Sequence, residues 1–184
     1  MERRDEMKDT IAETIGIASN RICNILTHFP IVLHEMLDGP YFETEVFLCA
    51  LLGASLPGEE DEIYSAVMDR LELYRPDADR LITDRMTVYE KVAAKRAIPC
   101  MFWSAVPPEE AFVDQRVLRM AALFGDFLVC PESAKDYSNY PWPNFKDEDL
   151  EVFTRVFIVR IIPEIFRFLA VARIKLALNE EQEG

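Results

Sequence analysis

At 184 residues, half of them hydrophobic and including 12 Phe, 6 Tyr and 2 Trp, the chain has enough apolar material for one domain with a buried core; this excludes wholesale disorder and any need for a disulfide or metal. Its formal charge of −13 repels phosphate backbones, which disfavours direct nucleic-acid binding. A membrane span needs about 20 apolar residues in a row, and the greasiest stretch, Val152 to Leu178, is interrupted by Arg155, Arg160, Glu164, Arg167, Arg173 and Lys175.

The hydrophobic period is helical from the start. Met7, Ile11, Ile15, Ala18, Ile22, Ile25 and Phe29 recur at steps of three and four, which places them on one face of a first helix. Pro30 opens a short second helix over IVLHEMLD, and Gly39-Pro40 closes it. A third helix, Tyr41 to about Leu56, repeats Phe42, Val46, Cys49 and Gly53 on one side and breaks at Pro57-Gly58. Glu59 to Glu62 begin a fourth, where carboxylates suit the positive end of the helix dipole, and Ile63, Val67, Leu71 and Tyr74 supply its buried face. Pro76-Asp77-Ala78-Asp79 opens a fifth, with Ile82, Met86, Tyr89 and Val92 inward and Lys91, Lys95 and Arg96 in its last turns.

Ala97 to Pro108 is an uncharged connector, too apolar for a solvated linker, that packs across the core. Pro108-Glu109-Glu110 starts a sixth helix through Val113, Val117, Ala121, Phe124 and Leu128, and Pro131 to Phe145 (PESAKDYSNYPWPNF) is an irregular stretch. Asp147 to Leu178 is a last long helical region. Pro163 should kink or split it, because its ring meets the carbonyl of Val159 where an N–H should be. Within this region VFIVRII is β-branched enough to mimic a strand. The polar tail begins near residue 179. The reading is all-α: an irregular bundle of seven or eight helices forming a single domain over 1–184.

The four cysteines, Cys23, Cys49, Cys100 and Cys130, form no CxxC pair and have mostly apolar neighbours, the usage of buried, reduced thiols in the cytoplasm. The charged N-terminus has no signal-peptide character, in keeping with that compartment. His34-Glu35-x-x-Asp38 begins like the zinc-protease HExxH, but the second histidine is missing and Gly39-Pro40 follows at once. Gly53-Ala54-Ser55 is part of a nucleophile elbow without the strand before it or the histidine after it. With no phosphate-cradling glycine motif either, no catalytic, metal or cofactor site is assigned.

Charge is uneven: from Ile22 to Asp69 there is no Lys or Arg against nine Asp and Glu, a field that favours a basic protein partner. The aromatic and proline residues of the irregular stretch, Tyr137, Tyr140, Trp142 and Phe145 beside Pro141 and Pro143, are candidate partner-binding residues, since prolines lower the entropy cost of presenting aromatic rings. The apolar residues spread around Val152 to Leu178 require that this helix be central in the bundle or shared with a second subunit, and a homodimer is expected. The sequence thus suggests a non-catalytic binding or regulatory protein. Two other readings compete: a metal protein or hydrolase on His28, His34 and nearby carboxylates, and a bundle that holds a small apolar ligand between its Phe side chains.

Overall fold

The structure is a computed structural model that describes residues 2–28, 39–56, 58–71, 78–94, 115–129 and 147–181. These residues are almost entirely helical, and no strand occurs among them. In chain order the elements are α1 (Glu2–Leu26), α2 (Gly39–Ser55), α3 (Glu60–Leu71), α4 (Ala78–Ala94), α5 (Gln115–Val129), α6 (Asp147–Val156), a π-helical segment (Phe157–Ile161) and α7 (Ile162–Glu181). The expected second helix, the connector Ala97 to Pro108 and the stretch Pro131 to Phe145 lie outside the described residues.

α2 is the centre. Every residue from Glu43 to Leu52 is buried, and α1, α3, α4, α5 and α7 all pack against the helix. The period of Phe42, Val46, Cys49 and Gly53 predicts one inward side for α2, and the apolar spread of Val152 to Leu178 predicts a central or shared last helix; in the structure α2 holds the centre and the last helices pack at its edge. A helix apolar around its circumference is buried on all sides, and YFETEVFLCALLGA fits that description once its two glutamates find cations inside the fold. Gly39-Pro40, read as the end of a helix that lies outside the described residues, begins α2. Proline is tolerated in a first turn because the N–H it lacks has no intrahelical partner there.

α1 buries Ile11, Ile15, Ala18 and Ile22 as its period requires. Between α2 and α3, Gly58 adopts φ +100°, a left-handed conformation that favours glycine. Its N–H donates to Glu60 Oε2 at 2.7 Å, and Glu60, Asp61 and Glu62 occupy the first turn of α3. Tyr64 on α3 donates its hydroxyl to the Asp79 carboxylate in the first turn of α4.

Aromatic rings tie the core together. Phe47 of α2 stacks on Phe124 of α5 with centroids 4.3 Å apart, and Tyr89 of α4 sits 5.6 Å from both Phe47 and Phe127. Phe124 continues to Phe157 at 6.2 Å and Phe157 to Phe153 at 5.8 Å, which brings the last helices onto the same core.

The last helical region is interrupted as Pro163 demands. The Ile162 N–H bonds to the carbonyl of Phe157, five residues back, which closes the π segment. α7 then starts with Pro163 in its first turn, where the missing donor costs nothing. VFIVRII is helical, not a strand. β-branching is only a weak preference, and here it is overridden by the burial of Phe157 and Ile161.

Candidate functional site

The proposed partner-binding residues Tyr137, Tyr140, Trp142 and Phe145 lie outside the described residues, as do His34, Cys100 and Cys130. His28 is exposed at the end of α1, where its Nδ1 is 2.8 Å from the carbonyl of Asn24. Among the described residues no group of three His, Cys, Asp or Glu side chains could hold a metal ion. Ser55 donates its hydroxyl to the carbonyl of Leu51, one turn back, at 2.8 Å, so this hydroxyl closes a helix end.

The chemistry that sequence reasoning missed is internal. Glu43, read as part of the acidic field, is fully buried on α2. Its Oε1 accepts a hydrogen bond from the Tyr89 hydroxyl at 2.7 Å, and its Oε2 lies 3.0 Å from Arg85 Nε. The Arg85 guanidinium in turn covers the Phe127 ring, 4.5 Å from its centroid, and Asp126 is buried beside Phe127 on α5. Burial raises the Glu43 pKa above its ordinary value, against the opposing pull of Arg85 and the Tyr89 hydroxyl. Burial and the nearby Glu43 likewise push the Tyr89 phenol well up.

Glu45, two residues on and so on another face of α2, is also nearly buried and receives Arg70 Nη2 of α3 at 2.6 Å. That guanidinium lies over Gly16 of α1, where a Cβ would stand 3.0 Å from Arg70 Nη1. Three helices therefore meet at one ion pair, and the glycine is what admits it. The signal in the sequence was present in both cases: a carboxylate embedded in a run of large apolar residues must either find a cation or give up its charge.

Cys23 donates to Thr44 Oγ1 at 3.6 Å, and Cys49 sits among Ile63 and Met86. Burial raises the first thiol to about 11 and the second to about 12, which suits inert, structural cysteines. These buried groups stabilise contacts between helices and present no reactive atom to solvent.

The surface offers more. Val152, Val159, Val171 and Ile174 on the last helices and Ile17 on α1 are large apolar side chains left exposed, Val159 and Ile174 by 66% and 60%. Val159, Pro163, Ala170 and Ile174 are exposed at steps of four, seven and four. On another side of α7 a groove of about 190 Å³ runs along α1, floored by Ile17, Ala18, Phe168 and Val171. Arg21 and Arg167 converge on Glu164 at 3.8 and 3.7 Å at one end, and Lys175 pairs with Glu13 at 2.7 Å at the other. The Arg21–Glu164 and Lys175–Glu13 pairs run between α1 and α7, which are antiparallel neighbours.

No helix among the described residues is long and apolar enough to cross a membrane. No family model matches the chain, and no curated protein or solved structure is significantly similar to it.

Proposed function

We propose that this chain is a non-catalytic binding or regulatory protein of the cytoplasm that acts through protein–protein contacts and self-associates as a homodimer. One observation carries the reading: α6, the π segment and α7 pack against the core on one side and still expose Val152, Val159, Val171 and Ile174 on others. A helix at the edge of a bundle needs one apolar face; a second one favours a partner.

The order Val159, Pro163, Ala170, Ile174 reads the same in both directions in its spacing, so an antiparallel second copy meets the stripe end for end, as a two-fold interface requires. Pro163 and Ala170 at its middle are small enough for close approach. Tyr137, Tyr140, Trp142 and Phe145 belong to the same proposal as aromatic anchors for a protein partner.

Light scattering across micromolar concentrations tests it, with Val159→Asp and Ile174→Asp beside the wild type. The expected outcome is twice the 21.2 kDa chain mass for the wild type, the single mass for both variants, and melting temperatures that stay together. A wild type that is monomeric throughout, and that captures no protein from source-cell extract that these variants and Trp142→Ala fail to capture, overturns the reading.

A further inference from the structure

From the groove between α1 and α7 we infer that the partner is acidic: the groove receives a short amphipathic helix that carries a carboxylate and an aliphatic side chain about one to two turns apart. The inference rests on the protein-contact reading above and adds the chemistry of the contact. Its basis is local charge reversal. The chain as a whole carries 33 Asp and Glu against 20 Lys and Arg, whereas the groove is lined by Arg21, Arg167 and Lys175 against Glu164, with Glu13 paired to Lys175 at its edge.

At one end two guanidiniums share a single carboxylate at 3.7 to 3.8 Å, longer than a well-made charge-assisted hydrogen bond. A second carboxylate placed there gives each arginine a partner of its own. Arg160, exposed one turn further toward the N-terminus of this region, extends the positive edge and makes no ion pair among the described residues. Between the charged ends lie Ile17, 44% exposed, and Val171, 37% exposed, which an aliphatic side chain of the occupant covers.

A basic occupant is disfavoured here on the same grounds. The acidic run that suggested one is already partly engaged: Glu43 holds Arg85, Glu45 holds Arg70, and Asp69 holds Lys8. A second copy does not compete for the groove, because the stripe it covers in the reading above, Val159, Pro163, Ala170 and Ile174, lies on another side of α7.

The test is a titration of the full chain, isotopically labelled for backbone amide NMR, with an end-capped helical peptide of about 14 residues built from Glu, Leu and Ala, and with the same peptide bearing Gln or Lys in place of Glu. The Glu peptide should shift the amides of Ile17, Ala18, Phe168 and Val171, and the Gln peptide should bind at least about tenfold more weakly. Arg21→Gln with Arg167→Gln should cost the Glu peptide a similar factor at unchanged melting temperature, with Arg21→Lys and Arg167→Lys restoring part of it. Equal shifts from the Glu and Lys peptides overturn the inference, as do shifts confined to residues away from the groove, stronger binding of free octanoate than of the peptide, or no shift at millimolar peptide. Shifts elsewhere on the surface leave the protein-contact reading standing, so the two failures are distinct.

Discussion

Replacing Tyr89 by Phe removes one oxygen atom and nothing else from the centre of the molecule. The ring remains 5.6 Å from Phe47 and from Phe127, so no apolar contact is lost and no carbon-lined cavity opens. What disappears is the 2.7 Å hydrogen bond to Glu43 Oε1, in a place where both partners are fully buried and no solvent replaces the donor. A hydrogen bond to an ionised carboxylate contributes roughly 1.5–3 kcal/mol and one between neutral groups about 1 kcal/mol, and for a chain of this size each kcal/mol moves the melting temperature by about 2–4 °C. Tyr89→Phe should therefore cost about 1 kcal/mol where Glu43 holds its proton and about 2 kcal/mol where it is ionised, lowering the melting temperature by roughly 2–8 °C. The cost should also depend on pH. Because burial raises the Glu43 pKa above its ordinary 4.5, the folded chain holds a proton that the unfolded chain releases; that stability is present below 4.5 and is lost as pH rises through the folded value. The Tyr89 hydroxyl favours the ionised form, so its removal is felt more as pH rises above 4.5. Equilibrium urea unfolding followed by circular dichroism, at several pH values between about 5 and 8, measures both quantities. A loss under about 0.5 kcal/mol at every pH, or one that shrinks as pH rises, would refute the assignment of this bond to an ionisable Glu43.

Two further predictions concern the other internal features. With pKa values raised to about 11 and about 12, Cys23 and Cys49 expose almost no thiolate near neutral pH, so peptide-level mass spectrometry should find both unlabelled by a disulfide reagent until urea unfolds the chain; labelling within minutes in native buffer would contradict their burial. Gly53→Ala, where nothing lies within 4 Å of the added Cβ, should gain about 0.5–1 kcal/mol from helix propensity alone. Gly16→Ala adds the same propensity but pushes its methyl to 3.0 Å from the Arg70 guanidinium. It loosens the 2.6 Å bond to nearly buried Glu45 and should come out destabilising by about 1 kcal/mol. If both alanines stabilise equally in urea titrations, Arg70 moves aside freely and the three-helix junction is not constrained by Gly16.

Much of the helical content was legible because period and punctuation agreed. α1 kept the face set by Ile11, Ile15 and Ile22, α3 began where the carboxylate run met the helix dipole, and α4 placed Ile82 and Tyr89 inward with Asp79 at one end and Lys91 at the other. The centre was not legible, because a net-charge argument treats every glutamate as solvated. Glu43 and Glu45 were counted in an outward field, yet the fold turns them toward arginines 42 and 25 positions further along the chain, on α4 and α3. No local pattern specifies which cation a buried carboxylate will meet. A tyrosine 46 residues away completing the site is equally invisible to a window that spans one helix.

The last helical region explains why the candidate surface, too, escaped the sequence. Among its buried residues, Phe153, Phe157, Ile161, Ile165 and Leu169 form a row spaced by four, which Phe168 and Ala172 flank. In an α-helix each residue advances about 100°, so four residues overshoot one turn by about 40°, and such a row would drift by roughly 160° over its length. Read as one α-helix, the stretch is apolar nearly all round, which is how a central helix looks. The π segment at Phe157–Ile161 fits an extra residue into a turn and removes about 100° of that drift, so the buried row becomes one stripe. The same correction brings Val159, Pro163, Ala170 and Ile174 into register on the opposite side, exposed. Pro163, which withholds the N–H that the preceding turn would need, makes the wider turn inexpensive at that point. The second apolar face thus exists because of the insertion, and a change that restores a continuous α-helix there would rotate Val152, Phe153 and α6 relative to Ile165, Ile174 and α7, so the exposed surface and the buried stripe would be lost together.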